Sequence, residues 1–127
     1  MRLFAKNTSI LSGEVDCPGD KSISQIAIII GALANQNISI TGFLNGEDPL
    51  STLGALNQIG ADISINNNEV TINERELTFS NPSNSIDLGN SGTGMRLIMG
   101  LIAGTGLKAT IIGDESLMKR PMSRVSI

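Results

Sequence analysis

The residues best suited to chemistry are cations and hydroxyls placed just before apolar segments. In PGDKSIS, residues 18–24, a Pro-Gly turn precedes Lys21, two serines and an oily run. A helix beginning here offers unpaired backbone N–H groups and a partial positive charge, so a lysine is unfavourable unless an anion neutralises it. The alternative is an ordinary helix cap by Asp20, with Lys21 in solvent. The stretch alone leaves the two interpretations about equal.

A second stretch, LGNSGTGMR at residues 88–96, combines glycines with the polar side chains of Asn90 and Arg96. Glycines such as Gly92 let backbone amides approach a ligand closely. The stretch matches neither a Walker motif nor a dinucleotide fingerprint. Taken alone, it slightly favours a plain strand-to-helix turn that needs positive φ.

A third stretch, KRPM at residues 119–122, places Arg120 before Pro121. Proline suits a first helical turn, which predicts a helix with Arg120 at its N-cap edge. An arginine fork binds carboxylate or phosphate through two parallel hydrogen bonds. A surface basic pair is the commoner explanation of such a motif. Three predicted helix N-termini with a cation or a glycine turn nevertheless favour an anion site.

Acidic side chains after predicted strands are a further possibility for catalysis. Glu47, Asp48, Asp114 and Glu115 occupy such positions. Because Pro49 follows Asp48, we predict that Asp48 is a helix N-cap. The other three are predicted to be solvated.

Composition excludes several classes of function. The chain has 127 residues, no histidine, one cysteine and a net charge of -3. Without histidine, histidine-based triads and histidine-ligated zinc are impossible. The acidic balance and the scarcity of aromatics argue against nucleic-acid binding. The longest apolar stretch is too short for a membrane span, and the single Cys17 fits a reducing compartment, so we expect a cytoplasmic location and no membrane association.

Hydrophobic patterning predicts the elements that position these residues. The first half is expected to begin with a strand or strand pair from Ser9 to Cys17, followed by a helix from Lys21 to Ala34 that is covered on most sides and by a strand at 38–41. A helix from Asp48 to Ile59 and a hairpin over 61–72 are expected next. The inward side chains of the hairpin would be Ile63, Ile65, Val70 and Ile72. Residues 77–79 are a further strand candidate. The second half predicts a strand from Ile86, an apolar helix after the glycine turn, and another strand in KATIIGDES, residues 108–116.

The two halves resemble each other, which predicts an internal repeat. GALANQNISITG matches GLIAGTGLKATIIG about 70 residues later. We therefore predict an α/β (α+β) fold of repeated βαβαββ units, with the first at 14–73 and a truncated second at 86–127. Residues 1–127 would then be one partial domain. A half-built unit exposes apolar surface, so we expect self-association.

Four motifs together resemble the 5-enolpyruvylshikimate-3-phosphate synthase family over essentially the whole chain. They are PGDKSIS, LNGEDP, LGNSGTGMR and GDESLMKRPM, in this order. The resemblance implies an inside-out barrel of βαβαββ units, of which this chain would be an N-terminal fragment. It also implies transfer of the enolpyruvyl group from phosphoenolpyruvate to shikimate 3-phosphate, in the pathway to aromatic amino acids, with no metal and no organic cofactor.

The resemblance also implies roles for individual residues. Lys21 would be catalytic and contact both substrates, and Ser22 would bind shikimate 3-phosphate. The phosphoenolpyruvate pocket, where glyphosate also binds, would be lined by Asn90, Gly92 and Arg120, with Arg96 supporting the glycine turn. An isolated fragment would not catalyse the reaction.

One departure and two alternatives follow from the same motifs. Where the family reads KSxS[HN]RA, this chain has Ile26 in place of the arginine that helps to hold shikimate 3-phosphate. That change favours a non-catalytic, divergent phosphate-binding or structural module as one alternative. The other is a relative of the UDP-N-acetylglucosamine enolpyruvyl transferases, against which Lys21-Ser22 and the scarcity of cysteine count.

Overall fold

A computed structural model describes residues 2–7, 10, 12–76, 78–123 and 125. Helices and strands alternate along most of this range. In chain order they are α1 (Lys21–Ala34), β1 (Ile38–Ile40), α2 (Glu47–Gln58), β2 (Asp62–Asn66), β3 (Glu69–Asn73), β4 (Ile86–Asp87), α3 (Gly92–Thr105), β5 (Ile111–Ile112) and α4 (Glu115–Met118). The mixed α/β (α+β) class expected from the patterning is confirmed.

The strands form two small sheets. In the first, β3 lies between β1 and β2 and pairs antiparallel with both, so that Ile72 is opposite Ile38 on one side and Ile63 on the other. The predicted hairpin is confirmed as β2–β3, with Ile63, Val70 and Ile72 buried and Ile65 half-buried. The second sheet is the parallel pair β4–β5.

One hydrophobic core connects the sheets with the three long helices. Ile28 of α1, Leu56 of α2 and Ile98 of α3 are each 0% exposed. Because α2 contacts both α1 and α3, the three helices pack side by side and their first turns can approach one another. Helix α1 begins and ends where the sequence predicts, from Lys21 to Ala34.

The expectation that α1 is covered on most sides is wrong. Four apolar side chains along it are exposed to solvent: Ile23 (68%), Ile26 (42%), Ile30 (60%) and Leu33 (51%). The main neighbours of α1 are α2, α3 and β3. The buried side of α1 includes Ile28 and Ala32. An apolar sequence all round a helix therefore does not mean burial all round it in this chain.

Two predicted strands are absent from the described residues. Ile10 and residues 12–17 form no strand, and Val15 is 91% exposed. Residues 78 and 79 also form no strand. A strand forms only where the backbone hydrogen-bonds to a neighbouring strand, so strand propensity alone does not produce one. Ser9, Leu11 and Leu77 lie outside the described residues.

Two predicted helix starts are also wrong. Helix α2 has Gly46 at its N-cap, so Asp48 is already the second helical residue. Near residue 120 the helix begins earlier than predicted, because the Asp114 carboxylate accepts a hydrogen bond from the backbone N–H of Leu117 and caps α4. Arg120 therefore follows the end of α4, and residues 121–123 form no helix. No helix in the described part of the chain is long and apolar enough to cross a membrane.

Candidate anion-binding site

The first turn of α1 is held by a cap and by an ion pair. Oδ1 of Asp20 accepts a hydrogen bond from the backbone N–H of Ile23 at 2.8 Å. One position later, Nζ of Lys21 lies 2.8 Å from Oδ2 of Asp48, and half of the lysine side chain is exposed. The cap predicted at Asp20 is confirmed, whereas Asp48 pairs with Lys21 and does not cap α2. An intramolecular carboxylate occupies one side of the lysine.

The serines that follow Lys21 differ in their surroundings. Ser22 is half-buried in the first turn, on the same helix end as Lys21. Ser24 is buried, and its hydroxyl accepts a hydrogen bond from the backbone N–H of Leu44 at 3.0 Å. Ser24 therefore fixes the loop that leads into α2.

The glycine-rich turn leads directly into α3. Ser91 is its N-cap, and the serine hydroxyl accepts a hydrogen bond from the N–H of Gly94 at 3.1 Å. The predicted positive φ is found at Gly89, at +53°, whereas Gly92 and Gly94 are part of the helix. A Cβ atom at Gly92 would lie 2.9 Å from Nη1 of Arg120. The missing side chain thus lets a guanidinium group approach the helix start.

Arg120 reaches this turn through Asn90. Nη2 of Arg120 donates to Oδ1 of Asn90 at 2.6 Å, and Nδ2 of Asn90 donates to Oδ2 of Asp114 at 2.7 Å. The hydrogen bond from Asn90, followed by that from the backbone N–H of Leu117, holds the pKa of Asp114 below its ordinary value. Arg120 is not the helix N-cap that the sequence predicts, yet it lies beside the N-terminus of a different helix, α3.

Arg96 braces the same region from within α3. Its Nη1 donates to the carbonyl oxygen of Gly92 at 3.1 Å, and its Nη2 donates to the carbonyl oxygen of Pro121 at 3.2 Å. The arginine therefore links the first turn of α3 to the segment that carries Arg120.

A buried amide joins the α1 and α3 ends of the site. Nε2 of Gln25 lies 2.7 Å from Oγ of Ser91, 2.9 Å from Oγ1 of Thr52 and 3.1 Å from the carbonyl oxygen of Asp48. Sequence reasoning missed Gln25 and Thr52. The available signal was a polar residue directly before the apolar segment of α1 that begins at Ile26. Lys21, Asp48 and the Asn90–Arg120 pair thus belong to one connected set of helix ends.

The chemistry of these groups suits anions. Lys21 and Arg120 supply positive charge, and the first turns of α1 and α3 supply backbone N–H groups. Among the residues that the structure describes, no cluster of cysteine, aspartate or glutamate side chains could hold a metal ion.

Comparison with known proteins gives the family. Residues 5–126 match the family model of EPSP synthase (3-phosphoshikimate 1-carboxyvinyltransferase). The chain belongs to this family. It is 48% identical over 125 residues to the 3-phosphoshikimate 1-carboxyvinyltransferase of Ruthia magnifica, and 41% identical over 127 residues to that of Shouchella clausii. The family resemblance stated from the four motifs is therefore confirmed, and the alternative of a UDP-N-acetylglucosamine enolpyruvyl transferase is set aside.

Solved structures agree with this assignment. An EPSP synthase structure from Acinetobacter baumannii matches 88% of this chain with a TM-score of 0.80 and 42% sequence identity. A second structure of the enzyme from the same organism matches with a TM-score of 0.77. The chain spans 29% and 30% of the two curated relatives, and 26% of the first solved chain.

Proposed function

We propose that this chain contributes one wall of the substrate site of a 3-phosphoshikimate 1-carboxyvinyltransferase. The reaction is transfer of the enolpyruvyl group from phosphoenolpyruvate to shikimate 3-phosphate, and the chain by itself is catalytically inactive. In this proposal, Lys21 is the catalytic residue of the wall and contacts both substrates. A cytoplasmic location and two copies of one unit, at 14–73 and 86–127, belong to the same proposal.

The observation that carries the proposal is the convergence of two cations on helix N-termini. Lys21 lies in the first turn of α1, and Arg120 is hydrogen-bonded to Asn90 beside the first turn of α3. The Gln25 amide joins these two helix starts at hydrogen-bonding distance. Two substrates that each carry a phosphate and a carboxylate need such a surface, because their negative charges repel one another unless they are neutralised.

The proposed roles follow from what each group can donate. Lys21 is a point charge that can reach either phosphate, with Ser22 on the same turn donating to shikimate 3-phosphate. Arg120 presents a planar fork that suits the carboxylate or phosphate of phosphoenolpyruvate. Asn90 and Gly92 border that pocket. A bound anion would compete with Asp48 for Lys21 and with Asn90 for Arg120. These two intramolecular partners therefore hold the cations close to the positions in which they would contact the anion.

Ile26 is the weak point of the shikimate 3-phosphate half of the site. Its side chain is 42% exposed, one turn after Ser22. An isoleucine there supplies no hydrogen bond to a phosphate or carboxylate. The specific observation favouring the second candidate, a divergent module that binds phosphate without catalysis, is this exposed apolar residue at the mouth of α1.

Calorimetric titration of the 127-residue chain with phosphoenolpyruvate tests the proposal. Replacing Lys21 by methionine removes a charged contact worth about 1.5–3 kcal/mol, which corresponds to roughly tenfold to a hundredfold weaker binding. Lys108→Met is the matched control, because Lys108 is exposed and lies before β5, outside the site residues described above. Equal dissociation constants for the Lys21 and Lys108 variants would contradict the proposal.

A second titration, with shikimate 3-phosphate, separates the two candidates. Ile26→Arg is expected to tighten binding about tenfold or more, through one charge-assisted contact. Ile30→Arg adds the same charge one turn farther from the N-terminus of α1, at a side chain that is 60% exposed, and is expected to change binding by less than about twofold at physiological salt. If neither variant binds shikimate 3-phosphate, a module without that specificity is the better description.

A further inference from the structure

Gln25 is a fully buried polar side chain at the junction of the three long helices. It is 0% exposed, in the second turn of α1. Its amide nitrogen contacts Asp48 and Thr52 of α2, and Ser91 at the N-cap of α3. The contact to Ser91 spans 66 residues of sequence. One side-chain amide therefore touches the first turns of two neighbouring helices from a third.

The acceptors around this amide are shared with the helix ends themselves. An amide nitrogen has two N–H groups, and three oxygens lie within 3.1 Å of that of Gln25. The Ser91 hydroxyl also accepts from the backbone N–H of Gly94. The carbonyl oxygen of Asp48 also accepts from the hydroxyls of Ser51 and Thr52. A shift of any one helix end would therefore break bonds at the other two, and such networks act as a unit.

Stability alone does not account for a glutamine here. Its Oε1 is buried and has no hydrogen-bond partner in the described part of the chain. A buried acceptor without a donor lowers stability, and an apolar side chain of the same shape would avoid this cost. The polar side chains at the junction also require a glycine in α3, because a Cβ atom at Gly94 would lie 3.1 Å from Nε2 of Gln25 and closer still to Thr52 and Ser91.

We propose that Gln25 is a positioning residue for the anion site. It fixes the first turn of α1 against those of α2 and α3, and thereby sets the distance between Lys21 and the turn that carries Asn90. This inference rests on the proposed function, because it assumes that one ligand uses both helix starts. Gln25 itself does not contact the ligand, since its polar nitrogen is already engaged by protein oxygens.

The test compares Gln25→Met with Gln36→Met in phosphoenolpyruvate titrations monitored by NMR. Methionine keeps the length of the side chain but donates no hydrogen bond, and Gln36 is exposed beyond the end of α1. Without the Gln25 amide, the ligand must itself hold the two helix starts in place, at a cost of about one net hydrogen bond. The dissociation constant of Gln25→Met is therefore expected to rise about threefold to tenfold. The thermal midpoint is expected to change little, because removal of the unpartnered acceptor offsets the loss of the amide's hydrogen bonds. The control is expected to bind like the wild-type chain.

Thr52→Val provides the independent variant, because it removes one acceptor while keeping the buried shape. The double variant with Gln25→Met is expected to bind no more weakly than Gln25→Met alone, which a merely structural effect at two sites would not produce. If Gln25→Met does not fold, a Thr52→Val dissociation constant raised at least twofold supports the proposal, and an unchanged one overturns it. If Gln25→Met folds and binds phosphoenolpyruvate with the same dissociation constant as the wild-type chain, the proposal is also overturned.

Residual dipolar couplings separate this proposal from the proposed function. They report the angle between α1 and α3 without any ligand. If the wild-type chain does not bind phosphoenolpyruvate, the proposed function fails, and the couplings still decide about Gln25. A changed angle in Gln25→Met, with Gln36→Met unchanged, supports the positioning role, and an unchanged angle overturns it.

Discussion

Gly94 offers the sharpest test of how closely the helix ends pack. A Cβ atom at this position would lie 2.5 Å from Oγ1 of Thr52, 2.6 Å from Oγ of Ser91 and 3.1 Å from Nε2 of Gln25. The first two distances are shorter than any ordinary contact. Because both oxygens belong to short side chains that are fully buried, they cannot swing into solvent. Gly94→Ala must therefore displace the hydrogen bonds that connect α1, α2 and α3.

The expected loss of stability can be worked from these contacts. Overpacking a well-filled interior costs about 1–3 kcal/mol. Displacing one hydrogen bond of the junction adds about 0.5–1.5 kcal/mol. Alanine regains about 0.8–1 kcal/mol over glycine inside a helix. The net expectation is that Gly94→Ala lowers the free energy of unfolding by about 0.5–4 kcal/mol.

The same helix contains a matched control. A Cβ atom at Gly100 would meet no atom within 4 Å apart from the adjacent residues and the backbone of its own helix, and the residue is exposed in the middle of α3. Gly100→Ala is therefore expected to raise the free energy of unfolding by about 0.5–1 kcal/mol. Urea unfolding followed by circular dichroism measures both variants under identical conditions. If Gly94→Ala is as stable as Gly100→Ala, the close packing of the three helix starts is refuted.

Three further predictions concern other parts of the molecule. Arg75 donates to the carbonyl oxygens of Ala32 and Gly60, and its Cζ lies 4.0 Å from the ring centroid of Phe79. Arg75→Met is therefore expected to lower the free energy of unfolding in urea by about 1.5–3 kcal/mol, while the exposed control Arg2→Met changes it by less than about 0.5 kcal/mol. The pKa of Asp114 is lowered from 3.8 in the fold, so the ionised carboxylate stabilises the fold fully above pH 3.8, and this stabilisation is lost as the pH falls through the lowered pKa. The stability difference between the wild-type chain and Asp114→Asn should therefore shrink below pH 4. A constant difference in urea unfolding from pH 3 to 6 would contradict this. We also propose that the exposed apolar face of α1 drives self-association, so light scattering should show a smaller mass for Ile30→Glu than for the wild-type chain at high concentration, and equal masses would argue against it.

Local signals made much of the fold predictable. The Asp20 cap and the apolar segment after it are sufficient to predict both ends of α1, because capping and periodicity act within a few residues. The alternation of Ile63 and Ile65 predicts β2 and its hairpin for the same reason. The strand predicted around Val15 was wrong, because strand propensity describes how well a residue fits into a sheet and does not provide a neighbouring strand.

The candidate site was less predictable, because its contacts join residues far apart in the sequence or depend on which of two possible helix starts is formed. Pro121 indicates a helix start after Arg120, but the Asp114 side chain accepts a hydrogen bond from the N–H of Leu117 and starts the helix at Glu115. This short helix ends at Met118, before the arginine. The pairing of Lys21 with Asp48 spans 27 residues, and nothing in either local stretch indicates it. Gln25 reads as an interruption of an apolar helix until the fold brings the start of α3 against it.

The central claim is that the starts of α1 and α3 form one anion site. It is tested most directly by titrating the isotopically labelled chain with phosphoenolpyruvate and following the backbone amides in two-dimensional NMR spectra. The amides of Ser22 and Ile23 in α1, and of Gly92 and Gly94 in α3, are predicted to shift together and to fit a single dissociation constant. Shifts confined to one helix start, or two different dissociation constants, would contradict the claim.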